Sequence, residues 1–148
     1  MKQVMYCLQF VGTGTPKDGD VTVLAVRSTA ASASMRTAIG AAGVTGGIDA
    51  ADGGKAEFES IVAMNADGSF DENGSIRFGS AGSLRFSTVG RGTVSPSPQA
   101  GVNAGAVIWK IESGEGQFDG ATGFITSNFQ FNEAGEVTDN QFGVIWLK

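Results

Sequence analysis

A chain of 148 residues has the size of one domain, and with 41% hydrophobic and 17% charged residues it carries too much apolar content and too little charge for disorder. A net charge of −5 opposes binding to phosphate backbones, which argues against nucleic acid as a partner. With no histidine and the single Cys7, the usual zinc sites, Ser-His and Cys-His nucleophiles and an internal disulfide are all excluded, and no metal is expected.

The chain contains 23 glycines, about double the usual ~7% share, and few charges, a combination that suits short strands joined by tight turns. No apolar run approaches the ~20 residues of a membrane helix, and the opening Met1-Lys2-Gln3-Val4-Met5-Tyr6-Cys7 lacks the apolar core of a secretory signal. The expectation is a soluble, cytoplasmic protein with no membrane partner.

Taken in chain order, residues 4–11 alternate as a first strand, and Gly12-Thr13-Gly14-Thr15-Pro16-Lys17-Asp18-Gly19-Asp20 reads as a loop. Residues 21–27 are β-branched enough for a second strand. Residues 28–54, rich in Ala, Gly and Ser, fit strand plus loop better than one short helix over 30–42, and such a segment serves either as a lid or simply as a loop. From Lys55 the alternation is clear: Phe58, Ser60, Val62 and Met64 share one side, Glu57 and Glu59 the other. Ala66-Asp67-Gly68 and Glu72-Asn73-Gly74 carry the Asp-Gly and Asn-Gly pairs of hairpin turns. Further strands are expected at 75–79, 83–94, 102–112, 124–131 and 137–147, with Pro96 and Pro98 in a loop. Seven to nine short strands make an all-β domain, a barrel or a sandwich, and a single antiparallel β-barrel of about eight strands has the merit of leaving no open edge.

The run Gly114-Glu115-Gly116-Gln117-Phe118-Asp119-Gly120-Ala121-Thr122-Gly123-Phe124-Ile125 has the pattern G-x-G-x-F-x-G-A-x-G. It resembles the strand-turn-strand signature of the allene oxide cyclase and dirigent proteins, a superfamily of eight-stranded antiparallel barrels. Gly90-Arg91-Gly92-Thr93 and Ala106-Val107-Ile108-Trp109-Lys110 are similar to the layout of bacterial members of that group, so the resemblance covers the C-terminal half. Physically, the glycines permit a sharp corner, and Phe118 is placed to plug a barrel end. The run has no GK[ST] ending, which argues against a nucleotide loop.

In a closed barrel the more apolar side of each strand should face inward. This selects Tyr6, Leu8 and Phe10; Phe58, Val62 and Met64; Ile76, Phe78, Leu84 and Phe86; and Val107, Trp109, Ile125, Phe129, Phe131, Phe142, Val144 and Trp146. The polar residues on these sides are Ser60, Thr88, Asn103, Ser127, Thr138 and Asn140, and Val137, Ile145 and Leu147 would face outward. An apolar lumen with a few polar groups suits a small hydrophobic molecule, although the same residues also suit a lumen filled by its own side chains. Candidate substrate-binding residues are Trp109, Trp146, Phe142, Phe129, Asn103 and Ser127, and candidate catalytic residues are Tyr6 and Asn140. Glu57, Glu59, Arg77, Arg85 and Arg91 fall on the outer sides as cross-strand ion pairs, and Cys7 reads as a structural thiol.

The resemblance implies a cofactor-free isomerase or cyclase that folds a hydrophobic substrate into a reactive shape, and a homo-oligomer, dimer or trimer, formed through the barrel exterior. A non-catalytic ligand-binding barrel and a structural or assembly protein with a filled barrel are the alternatives.

Overall fold

The computed structural model describes all 148 residues and contains no helix. Nine strands form one antiparallel sheet: β1 (Lys2–Lys17), β2 (Asp20–Gly40), β3 (Gly43–Met64), β4 (Ser69–Phe78), β5 (Gly82–Thr88), β6 (Gly92–Pro96), β7 (Val102–Gly116), β8 (Thr122–Asn132) and β9 (Glu136–Leu147). Pairings β1–β2, β2–β3, β3–β4, β4–β5, β5–β7, β7–β8, β8–β9 and β9–β1 close a ring of eight strands. The short β6 fills the gap between β4 and β7 that β5 leaves when it ends at Thr88. The single antiparallel barrel expected from strand count is therefore the fold.

Several loops expected from glycine are strand. Residues 12–17 continue β1, and the turn shrinks to Asp18-Gly19, both at positive φ. Gly12 serves close approach there, because a Cβ would overlap the carbonyl oxygen of Arg27. Glu72-Asn73-Gly74 lies inside β4 and is no turn. Gly74 keeps a negative φ, and a Cβ on it would overlap the Glu59 carbonyl oxygen and the Phe86 ring, so this glycine lets two strands and an aromatic ring close up. The expected strand 83–94 is broken into β5 and β6 at residues 89–91, where Gly90 adopts positive φ. Residues 28–54 are strand, as favoured, with a turn only at 41–42 in place of the longer loop or lid: β2 and β3 continue as a long two-stranded arm, exposed along almost its whole length.

One end of the barrel is plugged. Gly116 and Gly120 take positive φ around the β7–β8 turn, and Phe118 folds inward, 3% exposed, with its ring centroid 5.2 Å from that of Phe78. Above it lies a layer of aromatic rings, Phe10, Phe58, Phe86 and Trp109, with Trp109 4.4 Å from Phe86. Ile76, Leu84, Ile125 and Ile145 complete the core at 1% exposure or less.

The inward phase of β9 is opposite to expectation. Asp139, Gln141 and Ile145 point in, whereas Phe142 is 44% exposed. Val144 and Trp146 are half-buried on the outer side, and Leu147 packs on the core. Ranking β9 by its aromatics selects the wrong side because both of its aromatics, Phe142 and Trp146, lie outside, while Asp139, Gln141 and Gly143 share the inward face with Val137, Ile145 and Leu147. The phase expected for β3, β4, β5 and β7 is the observed one, with Glu57, Glu59, Arg77 and Arg85 exposed. Glu57 stands opposite Arg77, and Arg27 opposite Glu59, yet neither pair closes to an ion pair. The ion pairs that form are Arg36–Asp49, Arg91–Asp67 and Lys110–Glu112.

Candidate functional site: a buried acid pair in the barrel

Opposite the Phe118 plug, the barrel interior opens into a cavity of about 90 Å³. Phe58, Val62, Phe70, Trp109, Phe129 and Phe131 supply apolar wall. Leu24, Met64, Val94 and Val137 form its outer part, next to the hairpin turns at that end. Four polar side chains reach this wall: Ser28, Glu72, Ser127 and Asp139.

Glu72 is carried inward by the alternation of β4 between Phe70 and Ile76, and Gly74 lets that strand approach closely. Its two carboxyl oxygens accept from Ser60 Oγ at 2.6 Å and from Trp109 Nε1 at 3.1 Å. Thr88 holds the backbone of the same residue, its hydroxyl accepting from Glu72 N and donating to Glu72 O. Asp139, on β9, accepts from Ser127 Oγ at 2.6 Å and from Gln141 Nε2 at 2.7 Å. Gln141 in turn accepts from the Tyr6 hydroxyl at 2.9 Å, extending the network into β1.

Burial dominates the acid–base character of both carboxyls, because an apolar surrounding disfavours their charged forms. Burial pushes Glu72 up to about 7, with the Ser60 bond pulling down, the charge of Asp139 pushing up and the Trp109 bond pulling down. Asp139 rises to about 6 through burial, against the hydrogen bonds from Ser127 and Gln141. Burial first, then the charges of Asp139 and Cys7, holds the Tyr6 phenol well above its usual range, so it remains a donor. Burial thus raises the proton affinity of both carboxyls toward neutral pH, Glu72 more than Asp139, and acids shifted in this way can give and take protons. The Ser28 hydroxyl, on β2 between the strands that carry the two acids, is buried with no hydrogen-bond partner. Such a group is costly unless something polar occupies the cavity.

Trp109, Phe129 and Ser127 stand in the cavity wall as expected, and Tyr6 joins through Gln141. Asn140 does not face the lumen: it lies on the outer side of β9, accepting from Gln9 Nε2 at 2.9 Å. Phe142 and Trp146 also lie outside, for the phase reason given above, and Asn103 sits toward the rim opposite Phe131, outside the cavity lining. Glu72 and Asp139 were missed. Glu72 is hidden by its Asn-Gly neighbours, and Asp139 by a strand whose aromatics face out. The available signal was the spacing Asp139-x-Gln141 in phase with Ile145, with Asp139 set opposite Phe129 on β8.

A larger groove, about 640 Å³, crosses the outer face between Arg27, Glu57, Glu59, Arg77 and Arg85. Its charged side chains are exposed on the outer face of the sheet. No group of three or more Cys, Asp and Glu side chains is placed to hold a metal ion. No helix is long and apolar enough to cross a membrane. Comparison with protein-family models, with curated proteins and with solved structures finds no match.

Proposed function

We propose that the protein is a cofactor-free isomerase or cyclase that moves a proton within a small hydrophobic substrate, with Glu72 and Asp139 as its acid and base. One observation carries this reading: two carboxyls of raised proton affinity, 7% and 5% exposed, share one apolar cavity with the unpartnered Ser28 hydroxyl.

The cavity is smaller than the ~300 Å³ of a typical ligand pocket, so only the reacting end of a substrate fits inside, with any tail leaving between Leu24, Met64 and Val137. The chemistry suited to such an end is a carbonyl flanked by an acidic C–H bond. Asp139 carboxylate takes the proton, the C–H electron pair moves into the carbonyl, and protonated Glu72 gives its proton to the oxygen. With a β,γ double bond in the substrate the product is a dienol; Asp139 returns its proton to the γ-carbon while the enol proton goes back to Glu72, which completes an isomerisation with no net change in atoms or electrons. Trp109 and Phe129 orient the substrate, and Tyr6 acts through Gln141 to hold Asp139. The proposed setting is cytoplasmic.

Incubation of the protein in deuterium oxide with a β,γ-unsaturated cyclohexenone, followed by proton NMR, tests this. The expected result is deuterium at the α-carbon and conversion to the conjugated isomer above background, both lost in Asp139→Asn. Recovery of the ketone unchanged at pH 6.5, together with no exchange on any small ketone of that size, would leave a binding barrel without chemistry.

A further inference from the structure

The arm and the wall of the barrel beside it are each left with an unpaired edge. Beyond the Val11–Thr29 pair, β2 leaves β1, so residues 2–10 of β1 are paired with β9 alone. Residues 31–40 of β2 are paired with β3 alone. The two open edges match in length and in direction. Next to the free β1 edge lies a slot of about 160 Å³ bordered by Leu8, Ala30, Ala56 and Phe78, where the barrel wall is incomplete. A free-standing two-stranded ribbon is marginal in water, and an open strand edge recruits another strand.

Side-chain chemistry sets a register. Continuing the β1–β2 pairing past Thr29 places Ala33 opposite Cys7 and Met35 opposite Met5, with all four on the outer face. On the arm, Met35 pairs with Ile48 and Ile39 with Val44, an apolar face 38% to 82% exposed. On the barrel, Met5, Phe142, Phe124 and Ile108 form an exposed apolar stripe across β1, β9, β8 and β7. A strand added in this register joins the two apolar surfaces into one.

The arm does not reach its own β1 edge. At its root Ser32 stands against unpaired residues 51–54, its hydroxyl donating to the Gly54 carbonyl at 2.7 Å, and a Cβ on Gly53 would overlap Ser32 Oγ, so the turn away from the barrel is tightly packed. We propose that the occupant of the β1 edge is the arm of a second copy, and that two copies exchange arms reciprocally, each completing the barrel wall of the other. This is β-strand addition with two-fold symmetry, and it concerns a surface apart from the acid pair.

Native Cys7 supplies the test. Opposed residues of an antiparallel pair lie 4.5–5.5 Å apart at Cα, a separation that a disulfide spans. Oxidised Ala33→Cys protein should run as a two-chain covalent species on non-reducing electrophoresis, and the species should vanish when Cys7→Ser is added. A disulfide within one chain would mean that the arm closes its own barrel and would overturn the proposal. So would cross-linking that survives Cys7→Ser, or free thiols in a chain that sediments as one copy. Independently, the unaltered chain should sediment as two copies and the variant Met35→Lys, Ile39→Lys as one, with an unchanged far-ultraviolet circular dichroism spectrum. Two copies in both would also overturn it.

Discussion

At the scale of the residue, the buried acids act on stability as well as chemistry. Glu72 and Asp139 have folded values, about 7 and about 6, above those of an exposed carboxyl. Each therefore binds its proton more tightly in the folded chain, so the stability these two groups contribute is fully present below about pH 4 and is lost as pH rises through about 6 and about 7. Glu72→Gln keeps the shape and removes the titration. Its urea midpoint should match the parent near pH 4 and exceed it at pH 8 by a margin on the order of 1–3 kcal/mol in unfolding free energy. Trp109→Phe keeps the wall but deletes the Nε1 donor to the charged form of Glu72. The alkaline limb of any pH–rate profile should then move upward. Trp109, Ser127 and Phe129 were legible as lumen residues because apolar alternation predicts the inward side of β7 and β8. Glu72 and Asp139 were not, since buried carboxyls run against the burial preference from which a pattern is read.

At the scale of the element, glycine decided where reading succeeded. Asp18-Gly19 and the Gly116 to Gly120 corner have the positive φ that a tight turn requires, and both stand where a turn was expected. Gly12 and Gly74 share that residue type but sit in strands, where what they provide is the absence of a Cβ. A sequence does not distinguish the two uses, because the close neighbour is remote in the chain. Gly74→Ala should cost roughly 1–3 kcal/mol in chemical denaturation, as expected for overpacking against Glu59 and Phe86. Phe118→Ala should cost roughly 3–5 kcal/mol, because it empties the plugged end beneath Phe78 and Ala121.

Across the whole molecule, closure joins the two ends of the chain. Lys2 through Thr13 of β1 run antiparallel to Leu147 through Glu136 of β9, so the barrel cannot close until nearly the entire chain is in place. Such non-local pairing predicts refolding over roughly milliseconds to seconds, measurable by stopped-flow tryptophan fluorescence through buried Trp109. The eight-strand count was legible because turn signals recur at short spacing. The arm was not, because an Ala-, Gly- and Ser-rich ribbon that contributes almost nothing to the core leaves little apolar pattern. The barrel places Glu72 and Asp139 in an apolar-walled lumen and keeps its other charged side chains outside. Carboxyl carbon-13 NMR, with the two resonances assigned from Glu72→Gln and Asp139→Asn, tests it directly. Both carboxyls should titrate between about pH 6 and 7, and titration of both below pH 5 would show that the lumen does not raise their proton affinity.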